Sequence, residues 1–224
     1  MDDLKCRPNQ VISKLKYNIN TSDFLTLEVC LKTRDPFKSL VATILTQNTS
    51  DKSAKKAFDL LESKVGVTPS NLSNADLEVI KFCIKSIGLY NNKSITIREL
   101  ARFIQETYHG DINKLLDVDP ELARKELTRI KGIGNKTVDV VLLTCKGYKT
   151  FPVDTHIFRI SKRLGIKGNY KVVSEFWKNS VYDTLNAHLI LITHGRKTCK
   201  AINPKCESCK INDCCRYYDG LRGS

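Results

Sequence analysis

The sequence lacks any apolar run long enough to cross a bilayer. Its longest uninterrupted aliphatic stretches, VVLL at 140–143 and LILI at 189–192, fall far short of the ~18 residues a span requires. No apolar segment follows the opening residues MDDLKCRPNQ, which begin with two acids, so neither a secretory signal nor a transit peptide is expected. A soluble, cytoplasmic protein fits these absences. Alternating polar and apolar residues of useful length are also missing, which speaks against strands. With no internal repeat, low-complexity run or long linker, any two lobes must share a broad interface. Acidic residues are scarce beside basic ones, 24 Asp+Glu against 37 Lys+Arg, a formal net charge of +13. That surplus suits a partner carrying phosphate, although a merely soluble basic surface would show it equally.

Of the 224 residues 41% are apolar, enough to bury a core in one unit or two packed lobes. The apolar positions recur at helical spacing, so a nearly all-α fold is expected. Pro36 to Gln47 reads as a helix with Phe37, Leu40, Val41, Ile44 and Leu45 on its inner face. A second covers about 74–86, stopped by Gly88 as a cap residue, and a third runs from Asn92 to Tyr108, closed by Gly110. Residues 119–130 form a helix opened by Asp119 with Pro120 at its first position, where a missing N–H costs nothing. Another starts just beyond Gly134 and ends near Gly147, so KGIGN joins two helices into a helix-hairpin-helix. Asp154 then caps a helix with Ile157, Ile160 and Leu164 as its inner stripe and Gly165 as its stop. Helices at about 172–183 and 184–195 lead into a cysteine-rich tail.

Nine cysteines could suggest a disulfide scaffold, but the number is odd, the chain is long and no export signal accompanies them. A reducing compartment is expected, with Cys6, Cys30, Cys83 and Cys145 as single inert thiols. Cys199, Cys206, Cys209 and Cys215 differ, being spaced C-x6-C-x2-C-x5-C within one loop. Four thiolates so close in sequence suit a closed metal centre, either a [4Fe–4S] cluster or a structural zinc. A single C-x2-C pair, where zinc sites more often show two, favours iron–sulfur. Cys214 is a rival fourth ligand.

The turn Lys131-Gly132-Ile133-Gly134 has a physical reading of its own. Two glycines let the backbone turn tightly and approach another molecule, and their N–H groups sit at the start of a helix, where an anion is favoured. A DNA phosphate would fit there, contacted without reading sequence. A plain glycine-capped turn would also account for these residues; Lys125, Arg129, Lys131 and Lys136 around it weigh toward phosphate. Lys136 stands in the first turn of the following helix, an odd place for a cation. An amine nucleophile must lose its proton to attack carbon, and a helix N-terminus with neighbouring positive charge pushes that way, although a phosphate-binding lysine needs no such chemistry. Asp154 is the matching carboxylate within chain reach, though capping alone would justify it.

Together these residues resemble the helix-hairpin-helix DNA glycosylases, and the endonuclease III group most closely, over about Pro36 to Cys215. KGIGNKT at 131–137 looks like that family's hairpin, placing its catalytic lysine on Lys136; VDTHIFR at 153–159 places its essential aspartate on Asp154. The tail spacing looks like the family's iron–sulfur loop, and this correspondence prefers Cys215 to Cys214. LTQNTSD at 45–51 and IGLYNNK at 87–93 resemble the two loops that fill the duplex after base flipping, with Gln47 in the gap and Leu89 as a wedge. Lys131 departs from the pattern, standing where relatives usually carry proline.

The resemblance implies an all-α, two-lobe protein: a six-helix barrel over 28–148 containing the hairpin at about 122–145, and a cluster lobe from 1–27 with 149–224, its cluster loop at 199–215. It further implies a monomeric, nucleoid-associated enzyme that acts on duplex DNA, excises oxidised or ring-saturated pyrimidines and nicks the strand by β-elimination through a lysine Schiff base. The competing readings are a mismatch, uracil or adenine glycosylase of the same fold, and a non-catalytic iron–sulfur DNA-binding protein.

Overall fold

Side-chain caps decide where most helices begin in the computed structural model, which describes residues 4–222. All regular structure among them is helical, as the missing alternation predicts. The chain divides into two units: the N-terminal segment through Ile19 with the chain from Lys149 onward, and Asn20–Tyr148. The first opens with α1 (Pro8–Lys14). The second holds α2 (Leu25–Thr33), α3 (Pro36–Thr46), α4 (Asp51–Lys64), α5 (Pro69–Asn74), α6 (Leu77–Ile84), α7 (Tyr90–Tyr108), α8 (Asn113–Leu116), α9 (Pro120–Leu127) and α10 (Asn135–Lys146). The chain then returns to the first unit with α11 (Thr155–Leu164), α12 (Tyr170–Ser180), α13 (Thr184–Lys197) and α14 (Arg216–Arg222). The boundary expected at residue 28 falls inside α2, which packs on α3 and α10 and belongs with them.

Within Asn20–Tyr148, α3 sits at the centre. Asp35 accepts from the amides of Phe37 and Lys38, Pro36 fills the first position, and the stripe Phe37, Leu40, Val41, Ile44 and Leu45 is wholly buried. Around it gather Leu61, Ile84, Ile97, Leu100, Leu127 and Leu142. Each such side chain contributes about 1.5–3 kcal/mol on leaving water. The helix expected over 74–86 is shorter: Asn74 ends α5, Ala75 is extended, and α6 starts only after Asp76, which caps it by accepting from Glu78 N, and stops at Ile84. Gly88 does not cap α6. The left-handed conformation falls one residue later, on Leu89 (φ 59°), which opens α7.

The other unit is built around α11 and α13, with Ile157, Ile160 and Leu164 buried as expected and Trp177 of α12 stacked on Phe151. Trp177 donates its ring N–H to Ser161 Oγ at 2.9 Å, so the largest buried side chain leaves no polar atom unsatisfied there.

The cysteines outside the tail are not all single thiols. Cys6 is bonded to Cys214 within the first unit, and Cys30 of α2 pairs with Cys145 of α10 within the second, with Cα atoms 5.3 and 5.7 Å apart. Only Cys83 is the buried free thiol expected of all four. The partners are separated by 208 and 115 residues, so nothing in local spacing announces them.

Candidate functional site

The hairpin between α9 and α10 is held from behind by α7. Thr96 of α7 donates its hydroxyl to Lys131 O at 2.8 Å, and Gly132 follows at φ 96°, in the left-handed region. A Cβ there would lie 3.2 Å from Thr96 Cγ2 and closer still to its hydroxyl. Gly134 differs: its backbone is extended and an added Cβ would meet nothing within 4 Å. It caps α10 without a side chain, where α9 and α11 have Asp119 and Asp154, so no carboxylate stands at the start of α10 to compete with an incoming anion. Gly132→Ala should therefore cost about 1–3 kcal/mol of stability in urea unfolding. Gly134→Ala should leave the unfolding midpoint near wild type while weakening retention on duplex DNA in a gel shift.

Gln47, the C-cap of α3, donates its side-chain N–H to Gly132 O at 3.0 Å and to Thr137 Oγ1 at 3.1 Å. The structure thus brings the Gln47 loop onto the hairpin. Leu89 is 58% exposed and holds φ 59°, a strained conformation for a bulky residue. Lys131 is exposed beside Gly132, and Lys136 is half-buried in the first turn of α10. Asp154 belongs to the other unit, half-buried, where it caps α11 by accepting from Ile157 N at 2.8 Å.

Cys199, Cys206, Cys209 and Cys215 are all free thiols and line one pocket. Burial pushes the thiols of Cys206, Cys209 and Cys215 up, Cys209 to about 11, and the neighbouring sulfurs add to the rise. Four cysteine sulfurs gathered in this way could hold a metal centre once deprotonated. Among the described residues no three of these sulfurs lie within 4.8 Å of one another. Arg163 Nη1 donates to Cys199 Sγ at 3.1 Å, and His194 Nε2 lies 3.8 Å from Cys209 Sγ. Cys214 is bonded to Cys6, lies beside Asp213, and does not line this pocket.

Sequence reasoning missed several supporting residues. Arg159 clamps α11 to α13 through Gly195 O (3.0 Å) and to the tail through Cys199 O (2.8 Å), and Tyr17 hydrogen-bonds His194 Nδ1 at 2.9 Å. Arg159 lies in the same short stretch as Asp154, a signal that could have marked it. Tyr17, far away in sequence, carried none.

A helix-hairpin-helix with an uncapped glycine turn, backed by a basic surplus and a four-thiol pocket, defines a DNA-binding protein of the glycosylase fold. Residues 41–179 match the HhH-GPD superfamily of base excision DNA repair proteins. The chain is 44% identical to endonuclease III of Sulfolobus acidocaldarius over 94% of this chain and 96% of that one. It is 37% identical to the Escherichia coli K12 enzyme over 82% and 85%. In structure it resembles a trapped endonuclease III–DNA covalent intermediate, with TM-score 0.73 and 28% identity, covering 92% of this chain and 100% of that one. It also resembles a thermostable thymine-DNA glycosylase, with TM-score 0.78 and 25% identity over 95% of each chain. The chain belongs to the endonuclease III family within the HhH-GPD superfamily.

Proposed function

We propose that the chain is a bifunctional base excision repair enzyme, a DNA glycosylase with AP lyase activity, in which Lys136 is the nucleophile. Family membership supports the glycosylase and lyase activities, and the placement of Lys136 supports the chemistry: an amine at the mouth of an uncapped helix N-terminus that would seat a DNA phosphate. Gln47 fills the gap left by the flipped nucleotide and Leu89 wedges the stack, which lowers the few kcal/mol that extrusion costs. Gly132, Gly134 and Lys131 grip the backbone.

Asp154 is the proposed proton acceptor of the reaction and offsets the positive charge that grows on the sugar. Lys136 Nζ then bonds to C1′ as the glycosidic bond breaks and the base departs with a proton. Opening of the sugar gives an imine, and loss of a C2′ proton expels the 3′ phosphate by β-elimination, leaving the enzyme to be released by water. Oxidised or ring-saturated pyrimidines are the proposed substrates.

Cys199, Cys206, Cys209 and Cys215 would hold a [4Fe–4S] cluster. The loop carries a single C-x2-C pair, where zinc sites more often show two, which supports iron–sulfur over zinc. When bound, the cluster supplies a closed, all-cysteine cross-link for the loop. Anaerobically purified protein should absorb near 400 nm and carry about four irons per chain, lost in Cys209→Ser and kept in Cys214→Ser. A colourless protein with one zinc would overturn this assignment. The enzyme works as a monomer on duplex DNA in the cytoplasm, associated with the nucleoid.

The reading is tested by borohydride reduction of the enzyme mixed with duplex DNA bearing thymine glycol, an abasic site, or a G·T mismatch. A covalent adduct with the first two is expected. Excision confined to the G·T duplex, without adduct, would favour the activity named for the thymine-DNA glycosylase relative.

A further inference from the structure

Lys93 is the most anomalous charge in the Asn20–Tyr148 unit. It is 3% exposed, stands in the first turn of α7 where the helix dipole disfavours a cation, and burial pulls its ammonium down to about 8 with no carboxylate offsetting the cost. A lysine retained there at such expense needs a use. Its side chain crosses to the carboxyl end of α3, where it donates to Leu45 O at 2.9 Å, one of the carbonyls a helix end leaves unpaired. It also donates to Thr49 Oγ1 at 2.9 Å, and that hydroxyl donates onward to Gln47 O at 3.2 Å. The backbone N–H of Lys93 is bonded to Leu89 O at 2.9 Å. One turn further along α7, Thr96 holds Lys131 O. Three separate segments therefore end on the first two turns of a single helix: the Gln47 loop, the Leu89 turn and the hairpin.

The geometry points to Lys93 as a positioning residue that fastens the Gln47 loop to the Leu89 turn, so that the two duplex-probing side chains are held in one frame before DNA arrives. This rests on the DNA-facing roles proposed above for Gln47 and Leu89. Lys93 touches no reacting atom. Holding both side chains in place removes the ordering cost they would otherwise incur while the base is extruded, and so acts on extrusion and not on the amine chemistry.

Lys93→Met keeps the length of the stem and removes the donors. Two single-turnover reactions separate the roles: excision of thymine glycol from a duplex, which requires extrusion and gap filling, and borohydride trapping of a single-stranded abasic oligonucleotide, which requires neither. Lys93→Met should slow the first by about tenfold or more and leave the second within about twofold. Thr49→Val should slow duplex excision less, and adding it to Lys93→Met should cost nothing further, because both cut the same chain of hydrogen bonds. Equal losses in both reactions would show a role in folding or chemistry, and unchanged duplex excision would show no role; either overturns the proposal while wild type still traps. Failure of wild type to trap single-stranded or duplex abasic DNA would instead sink the functional reading and this inference together.

Discussion

Lys136→Gln should form no borohydride-stable adduct with abasic DNA and should incise it at least ~10³-fold more slowly than wild type, the scale on which removal of a covalent nucleophile acts. The substitution keeps a hydrogen-bonding side chain of similar reach at a half-buried position, so stability should stay within about 0.5 kcal/mol of wild type. Binding to undamaged duplex should also persist, since the glycine turn and Lys131 remain. A protein that merely held DNA would show no adduct in either form, and one that hydrolysed the base with water would excise equally well in both.

Asp154→Asn should lower the single-turnover excision rate by about 10²–10⁴-fold, the usual range for removing a proton-transfer group. Two explanations compete for Asp154, because its carboxylate already caps α11 through Ile157 N. Asparagine caps a helix about as well as aspartate, whereas alanine gives up roughly 1 kcal/mol. If Asp154 handles the proton, Asn and Ala are both slow and only Ala is less stable. If it serves solely as a cap, the Asn variant is as fast as wild type. Thermal melts beside excision rates divide the cases.

Much of the site was legible because its signals are local. Pro36, Pro120, Gly134 and Gly147 punctuate the chain where α3, α9 and α10 begin or end, and the four tail cysteines sit within 17 residues of one another. What could not be read depends on distant partners. The Cys6–Cys214 bond and the Cys30–Cys145 pair join segments far apart in sequence, so default reasoning left four of those thiols single or in contention for the metal. Lys93 looks like an ordinary surface lysine until the fold buries it. The glycine at 88 misleads for a different reason. Glycine is the usual residue at a left-handed position, and here Leu89 takes it instead of Gly88. That exception falls on the residue proposed to enter the duplex, where strain that presents an apolar side chain to its target is useful.

One measurement reaches the centre of the account. The adduct trapped on abasic DNA is digested with nuclease and protease and the sugar remnant is located by mass spectrometry. Attachment to the amine of residue 136 is the predicted result; a remnant on Lys93, Lys131 or any other amine would contradict it.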